Sequence, residues 1–370
     1  MISNVYAIEL LKKALEIYTP SKQEEELARF IAEKAENELG FERIYIDDVG
    51  NVIAKKGEGE PKIMLCGHMD TVPGKIPVRI EDGLLYGRGA SDAKAPLISM
   101  LLAASMVQRE YGTIIFAGLV DEEGNATGVK NLVKNKIDVD YAIFGEPSGL
   151  ENITIGYKGR LALKIICDVG DSAHASAPML AKNAIEEMYG IWYGIKDLIE
   201  DENSKYDKPY LTACLTEIEG GTSHNVTPAK CSITVDIRIP TRYNTHQILD
   251  MVHNTITSIA KKRDIDIKYS IEDSTEPFEA AYNSPLVRAL VLGIMDITNK
   301  RPKLVRKTGT GDMNVLGSEL KIPVVTYGPG DAHSSHSIDE HVSIDEYIAS
   351  IEVFKRCIYH LSRLHKRKKS

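Results

Sequence analysis

The sequence predicts an α/β body interrupted by a smaller ferredoxin-like unit, on three observations. Short continuous apolar runs alternate with helical periodicity up to about residue 150, and one more such run lies far downstream, near residue 325. Between them the pattern changes to the order βαββαβ. The chain has 370 residues, too many for one compact core, which fits two domains or one domain carrying an insertion.

Taken in order, apolar residues at helical spacing mark residues 5–17. A second helix is expected to open at Ser21, where "SKQE" reads as a capping box, and to stop at Gly40. The runs "KIMLCG", "TIIFAGLV", "YAIFG" and "IPVVTYG" are short and rich in branched residues, and they alternate with helices such as one from about Lys94 to Arg109. They read as buried strands of an α/β sheet. In the changed stretch, "GRLALKIICDV" reads as a strand, "AKNAIEEMYGIWYGIKDLIE" as a helix, and "YLTACLTEIEG" and "KCSITVDIRIP" as two strands. "HQILDMVHNTITSIAKK" comes next as a helix and "DIDIKYS" as a last strand. A self-contained insert returns the chain near its point of departure, so 1–156 and 271–370 are expected to form one body and 157–270 the insert.

Composition narrows the function classes. The net charge of −8 arises from 45 basic and 53 acidic residues mixed along the chain, the opposite of a nucleic-acid binder. The basic tail "RLHKRKKS" reads as a solvated end. The five cysteines are odd in number, widely spaced and outside any CxxC pair, as expected of reduced thiols in a cytoplasmic protein. No apolar run approaches the roughly 18 residues that a membrane span needs.

Chemistry concentrates at strand ends. "GHMD" places His68 and Asp70 at the carboxyl end of a strand, where open α/β sheets put their sites. Residues i and i+2 of an extended segment point the same way, so Asp70 is expected beside the His68 ring, in the place of a carboxylate that fixes the tautomer of a metal-bound histidine. "TIIFAGLVDEEGN" ends in Asp121, Glu122 and Glu123, "YAIFGEPSG" in Glu146, and "YGRGASDAKAP" puts Asp92 in a glycine-rich loop before a helix. His333, His336 and His341 come after "PVVTYG". One such acid would be an ordinary solvated loop charge, but five segments repeating the theme describe a site. Oxygen and imidazole donors without cysteine suit two divalent ions sharing a bridging carboxylate. Such a pair, roughly 3.5–4 Å apart, polarises a carbonyl and activates water. A nearby carboxylate must then move the proton, and Glu122 and Glu123 offer one ligand and one base.

"GHMDTVP", "YGRGASDAK", "DEEG", "GEPSG" and "HSIDEHV", in this order and with an insertion after "GEP", resemble the di-zinc M20 family of metallopeptidases and deacylases. The resemblance implies a zinc-exopeptidase-like body with an inserted dimerisation domain, and hence a homodimer. It implies two metal ions per chain, zinc with cobalt as an alternative, held by His68, Asp92, Glu123, Glu146 and His336, with Asp92 bridging. Glu122 would be the general base and Asp70 the orienter of His68. His336 is preferred to His333 and His341 because it opens the family's H-S-x-D-E pattern. His174, in "GDSAHASAP", would reach the partner's site as an oxyanion donor. Asn225 and Arg238 would bind the substrate carboxylate, and "KTGTGDMN", with Thr310 and Gly311, resembles the substrate-binding loop.

At finer grain, "GRGASDAKAPL" and "KTGTGDMNV" resemble the branch that releases lysine or ornithine from the terminal glutamate of an acidic amino-group carrier protein, in lysine and arginine biosynthesis. Acetylornithine, acetyllysine or succinyl-diaminopimelate would be the small-molecule alternatives, and a non-catalytic scaffold the reading from another class. A scaffold would show a lost ligand or base, and here every such position carries a competent side chain.

Overall fold

The computed structural model describes residues 2–369. Two compact units emerge. The first comprises 1–156, 279–306 and 311–370, and the second 157–278 with 307–310.

The first unit is built on a mixed sheet whose centre consists of the strands Thr113–Leu119, Lys62–His68, Tyr141–Phe144 and Val324–Thr326, adjacent in that order and parallel. These are the four apolar runs of the sequence. Each is buried almost throughout, which is why they read as continuous apolar segments rather than alternating ones. Their shared direction brings the residues after Leu119, His68, Phe144 and Thr326 to one edge.

The helix Lys94–Met106 is buried all round, Lys94 included. A buried ammonium needs acceptors. Lys94 Nζ donates to Ala14 O at 3.1 Å and Ile17 O at 2.6 Å, at the end of the first helix, Asn4–Glu16. Free carbonyls and the negative end of the helix dipole favour a cation there. Burial still lowers the Lys94 pKa to about 7, against the opposing charge of Glu340.

The second helix corrects the sequence reading. It runs Glu25–Asn37, Glu24 occupies the N-cap position without a side-chain cap bond, and Ser21 lies outside it. The Ser21 hydroxyl donates instead to Asp70 Oδ2 at 2.7 Å.

In the second unit the strands Gly159–Asp168, Thr212–Gly220, Lys230–Ile239 and Asp266–Thr275 form an antiparallel sheet, with the first and third at its centre. The helices Ala184–Ser204 and Thr245–Arg263 complete the βαββαβ order. Met188, Ile191, Ile195 and Ile199 from the first, and Ile248, Val252 and Ile256 from the second, bury helical stripes in one core with Leu163, Ile165, Val235 and Ile237. Gly194 admits the close approach, since a Cβ there would lie 2.3 Å from Ile259 Cδ1. The last strand continues to Thr275 and the unit to Phe278, so a boundary at 270/271 would cut a strand. The alternation that marks "DIDIKYS" fades beyond Ser270, where the exposed strand "IEDST" carries no apolar pattern.

Among the cysteines, Cys66, Cys167, Cys231 and Cys357 are buried, while Cys214, on the strand Thr212–Gly220, is exposed. No described helix is long and apolar enough to cross a membrane.

Candidate metal centre

His68 ends the central strand and is fully buried. Its Nε2 lies 3.2 Å from Asp92 Oδ1 and 3.6 Å from Glu146 Oε1. The other oxygen of Asp92, Oδ2, lies 3.4 Å from His336 Nε2, which in turn is 2.8 Å from Glu123 Oε1. Asp92 therefore faces two imidazoles with two different oxygens. Donor atoms of His68, Asp92 and Glu123, and of His68, Glu122 and Glu146, lie within 4.8 Å of one another. His333 is exposed, and His341 turns its Nδ1 to Asp339 O, with its ring centroid 5.0 Å from that of Tyr86. Of the three late histidines, it is His336 that meets Asp92 and Glu123.

Asp70 is more than a partner for His68. His68 Nδ1 is nearest to the main-chain oxygen of Asp70, at 2.9 Å, with the carboxylate at 3.4 Å. A carbonyl can only accept, so the neutral ring carries its proton on Nδ1 and keeps a lone pair on Nε2, facing Asp92 and Glu146. The Asp70 carboxylate is left to gather the N–H groups of Glu122 at 3.1 Å and Glu123 at 3.0 Å, besides the Ser21 hydroxyl. One residue thus fixes the His68 tautomer and the backbone of both glutamates. Asp121 (φ +60°), next to the site, and His336 (φ +62°), within it, adopt the left-handed region.

Electrostatics points to bound cations. Burial raises the Glu122 pKa to about 7, with His68 opposing and Glu123, Asp92 and Asp70 adding to the rise. Burial likewise raises Glu123, and it raises the fully buried Asp312 well above the usual carboxylate range, with Glu122 contributing. Burial alone would lower His68, yet Asp70 and Asp92 lift it well above its ordinary value. The hydrogen bond to Asp92, resisted by burial and aided by Glu123, moves His336 to about 9. Glu122, Glu123 and Asp312 resist ionisation beside imidazoles that hold protons, while Asp70 and Asp92, next to those imidazoles, stay ionised, as in a site short of positive charge. The donor set, oxygen with imidazole, is the one hard-to-borderline divalent ions accept, so these residues fit a two-metal centre.

The remaining candidates lie at or near the second unit. His174 is exposed, and its Nδ1 accepts from the Ser176 N–H at 3.2 Å and sits 2.7 Å from Ser176 Oγ. This directs the proton of the neutral ring to Nε2 as an available donor. Asn225 lies beside it: Ala175 N–H donates to Asn225 O at 2.8 Å, and His174 bridges Val226. Arg238 is gripped within its own strand by Asp236, Nε to Oδ1 at 2.6 Å and Nη2 to Oδ2 at 3.3 Å, and its Nη1 donates to Thr310 Oγ1 at 2.9 Å. Gly311 belongs to the first unit, where a Cβ would come 3.9 Å from Glu122 Oε1.

Sequence reasoning missed Ser21, Arg88, Asp312 and Glu340. Ser21 imitates a helix cap. Asp312 lies in "KTGTGDMN" and Glu340 in "HSIDEHV", where an acid within a motif is the available signal. Arg88 pairs with Glu340, at 2.7 Å from Nη1 to Oε2.

The family model described as "Peptidase family M20/M25/M40" matches residues 64–360. A relative from Saccharolobus islandicus named LysW-lysine/LysW-ornithine hydrolase is 34% identical over 357 residues, covering 96% of each chain. One from Thermococcus kodakarensis, given the same name provisionally, is 39% identical over 357 residues, covering 95% of this chain and 91% of its own. Among solved structures, aminopeptidase PepT from Bacillus cereus matches with a TM-score of 0.83 at 22% identity, over 97% of this chain and 99% of its own. The Bacillus subtilis YXEP protein, described as a dinuclear metal binding peptidase from the M20 family, matches with 0.73 at 16% identity, over 97% and 98%. The chain belongs to peptidase family M20/M25/M40 and is a hydrolase of amide bonds.

Proposed function

We propose that this enzyme releases lysine or ornithine from an amino-group carrier protein of the LysW type, by hydrolysing the amide between the amino acid's α-nitrogen and the side-chain carboxyl of the carrier's terminal glutamate. The names of relatives at 34–39% identity over nearly the whole length support the substrate. The chemistry rests on one observation, the two oxygens of Asp92 facing two imidazoles beside the half-buried Glu122.

In this reading His68, Glu146 and Asp92 would hold one divalent ion, and Glu123, His336 and Asp92 the other, zinc or alternatively cobalt. Bound there, the ions supply Lewis acidity to the scissile carbonyl and the attacking water. Glu122 takes a proton from that water and delivers it to the amide nitrogen as the C–N bond breaks and the new C–O bond completes the glutamate carboxylate. Desolvation at this position favours its taking up the proton. Asp70 keeps His68 in the required tautomer. The Nε2–H of His174, from the partner in a homodimer formed through the second unit, donates to the developing oxyanion. Arg238, pre-oriented by Asp236, receives a substrate carboxylate with Asn225 and Thr310. Gly311 leaves room beside Glu122.

The test is release of free lysine and ornithine from the carrier-bound and N-acetyl forms, with zinc or cobalt supplied. Turnover of the carrier-bound forms, weakening as salt screens attraction to the acidic carrier, is the expected result. Efficient turnover of the acetyl forms alone would overturn the carrier assignment.

A further inference from the structure

We infer that Glu340 is a positioning residue that aims the Asp92 carboxylate. The inference rests on the reading of Asp92 as the bridging ligand. Glu340 is 1% exposed and lies four residues after His336. Its Oε1 accepts the N–H groups of Ser91 at 3.0 Å and of Asp92 itself at 2.9 Å, and its main-chain oxygen accepts from Gly87 N–H at 3.2 Å. Its Oε2 accepts from Arg88 Nη1 at 2.7 Å, while Arg88 Nε donates to Gly74 O at 2.9 Å. One side chain therefore gathers donors from the 88–92 segment and its main chain secures the start of the turn.

A second fastening lies beside the first. Ser91 Oγ donates to Asp331 O at 3.0 Å, and Gly330, at φ +105°, lies so close that a Cβ would come 2.6 Å from Ser91 Oγ. The segment bearing Asp92 is thus laced to the segment bearing His336, although more than 230 residues separate them in sequence. A carboxylate accepting backbone N–H groups makes charge-assisted bonds, stronger and more directional than neutral ones. Asp92 must point two oxygens at two different imidazoles, so a small rotation of its backbone would disturb both halves of the centre. Arg88 neutralises Glu340, whose buried charge would otherwise be costly.

Two doubly substituted enzymes separate aiming from charge pairing. Glu340→Gln with Arg88→Leu keeps an acceptor oxygen and removes the ion pair. Glu340→Leu with Arg88→Leu removes the ion pair and the acceptor as well. Cobalt bound per chain at fixed free cobalt, and the visible absorption of the loaded protein, are read after circular dichroism confirms folding. The Gln/Leu protein should take up two ions with affinity within about threefold of the parent, and the Leu/Leu protein should bind about 10–100-fold more weakly, with altered absorption. Parent-like uptake by Leu/Leu, or an equal loss in both, would overturn the inference. Should Leu/Leu fail to fold, Glu340→Asp, one methylene short, decides: weakened uptake is expected, and unchanged uptake refutes the aiming role. Asp92→Ala is measured alongside, and its retaining two ions at full affinity would refute the ligand reading instead.

Discussion

At the residue scale, Asp70 shows how much one side chain organises. Its carbonyl sets the His68 tautomer and its carboxylate sets the backbone of Glu122 and Glu123. Asp70→Ala should weaken cobalt binding by about 10–100-fold, measured by competition with a chelating dye. Glu122→Gln should reduce turnover by about 10²–10⁴-fold while metal analysis still finds about two ions per chain. The His336 pKa, moved to about 9 by Asp92 and Glu123, gives the sign of a pH effect. Below that pH the ring keeps its proton, which a metal must displace. Apparent metal affinity should therefore rise from neutrality towards pH 9 as His336 gives up its proton, as titrations at successive pH values would show. The sequence makes His68 and Asp70 legible as a pair because i and i+2 share a face. It cannot say whether carbonyl or carboxylate meets the ring, a matter of a few tenths of an ångström in the turn.

At the element scale, the strands were the easiest feature to read. "KIMLCG" and "TIIFAGLV" are apolar on both faces because both faces are covered, and the polar residues just beyond each run share one edge because the strands are parallel. The second helix starts later than its sequence suggests because Ser21 satisfies the local pattern of a cap while its hydroxyl serves Asp70. Glu340 is legible only as an acid within a motif, for a related reason: besides Arg88, its partners are backbone N–H groups about 250 positions away, and a backbone N–H has no letter in the sequence. In the second unit, Ile195 is fully buried between its helix and the sheet. Ile195→Ala should destabilise that unit by about 2–5 kcal/mol in denaturant titration, with metal content unchanged.

At the scale of the whole molecule, the proposed contribution of His174 to a partner's site makes a prediction that neither unit yields alone. His174→Ala and Glu122→Gln proteins, each nearly inactive, should regain activity when dissociated and reassociated together. A hybrid dimer holds one site with Glu122 from one chain and His174 from the other, so random mixing should restore about a quarter of parental turnover. No recovery, with hybrids verified by differential tagging, would place His174 in its own chain's site or outside the chemistry. The distribution of thiols offers a practical opportunity. Four cysteines are sealed in cores and the fifth, Cys214, stands exposed on the second unit's outer strand. A maleimide fluorophore should therefore attach once per chain, at a defined place on the insert. The native polypeptide thus carries its own spectroscopic address, from which energy transfer to a carrier dyed at a chosen site would report docking in real time.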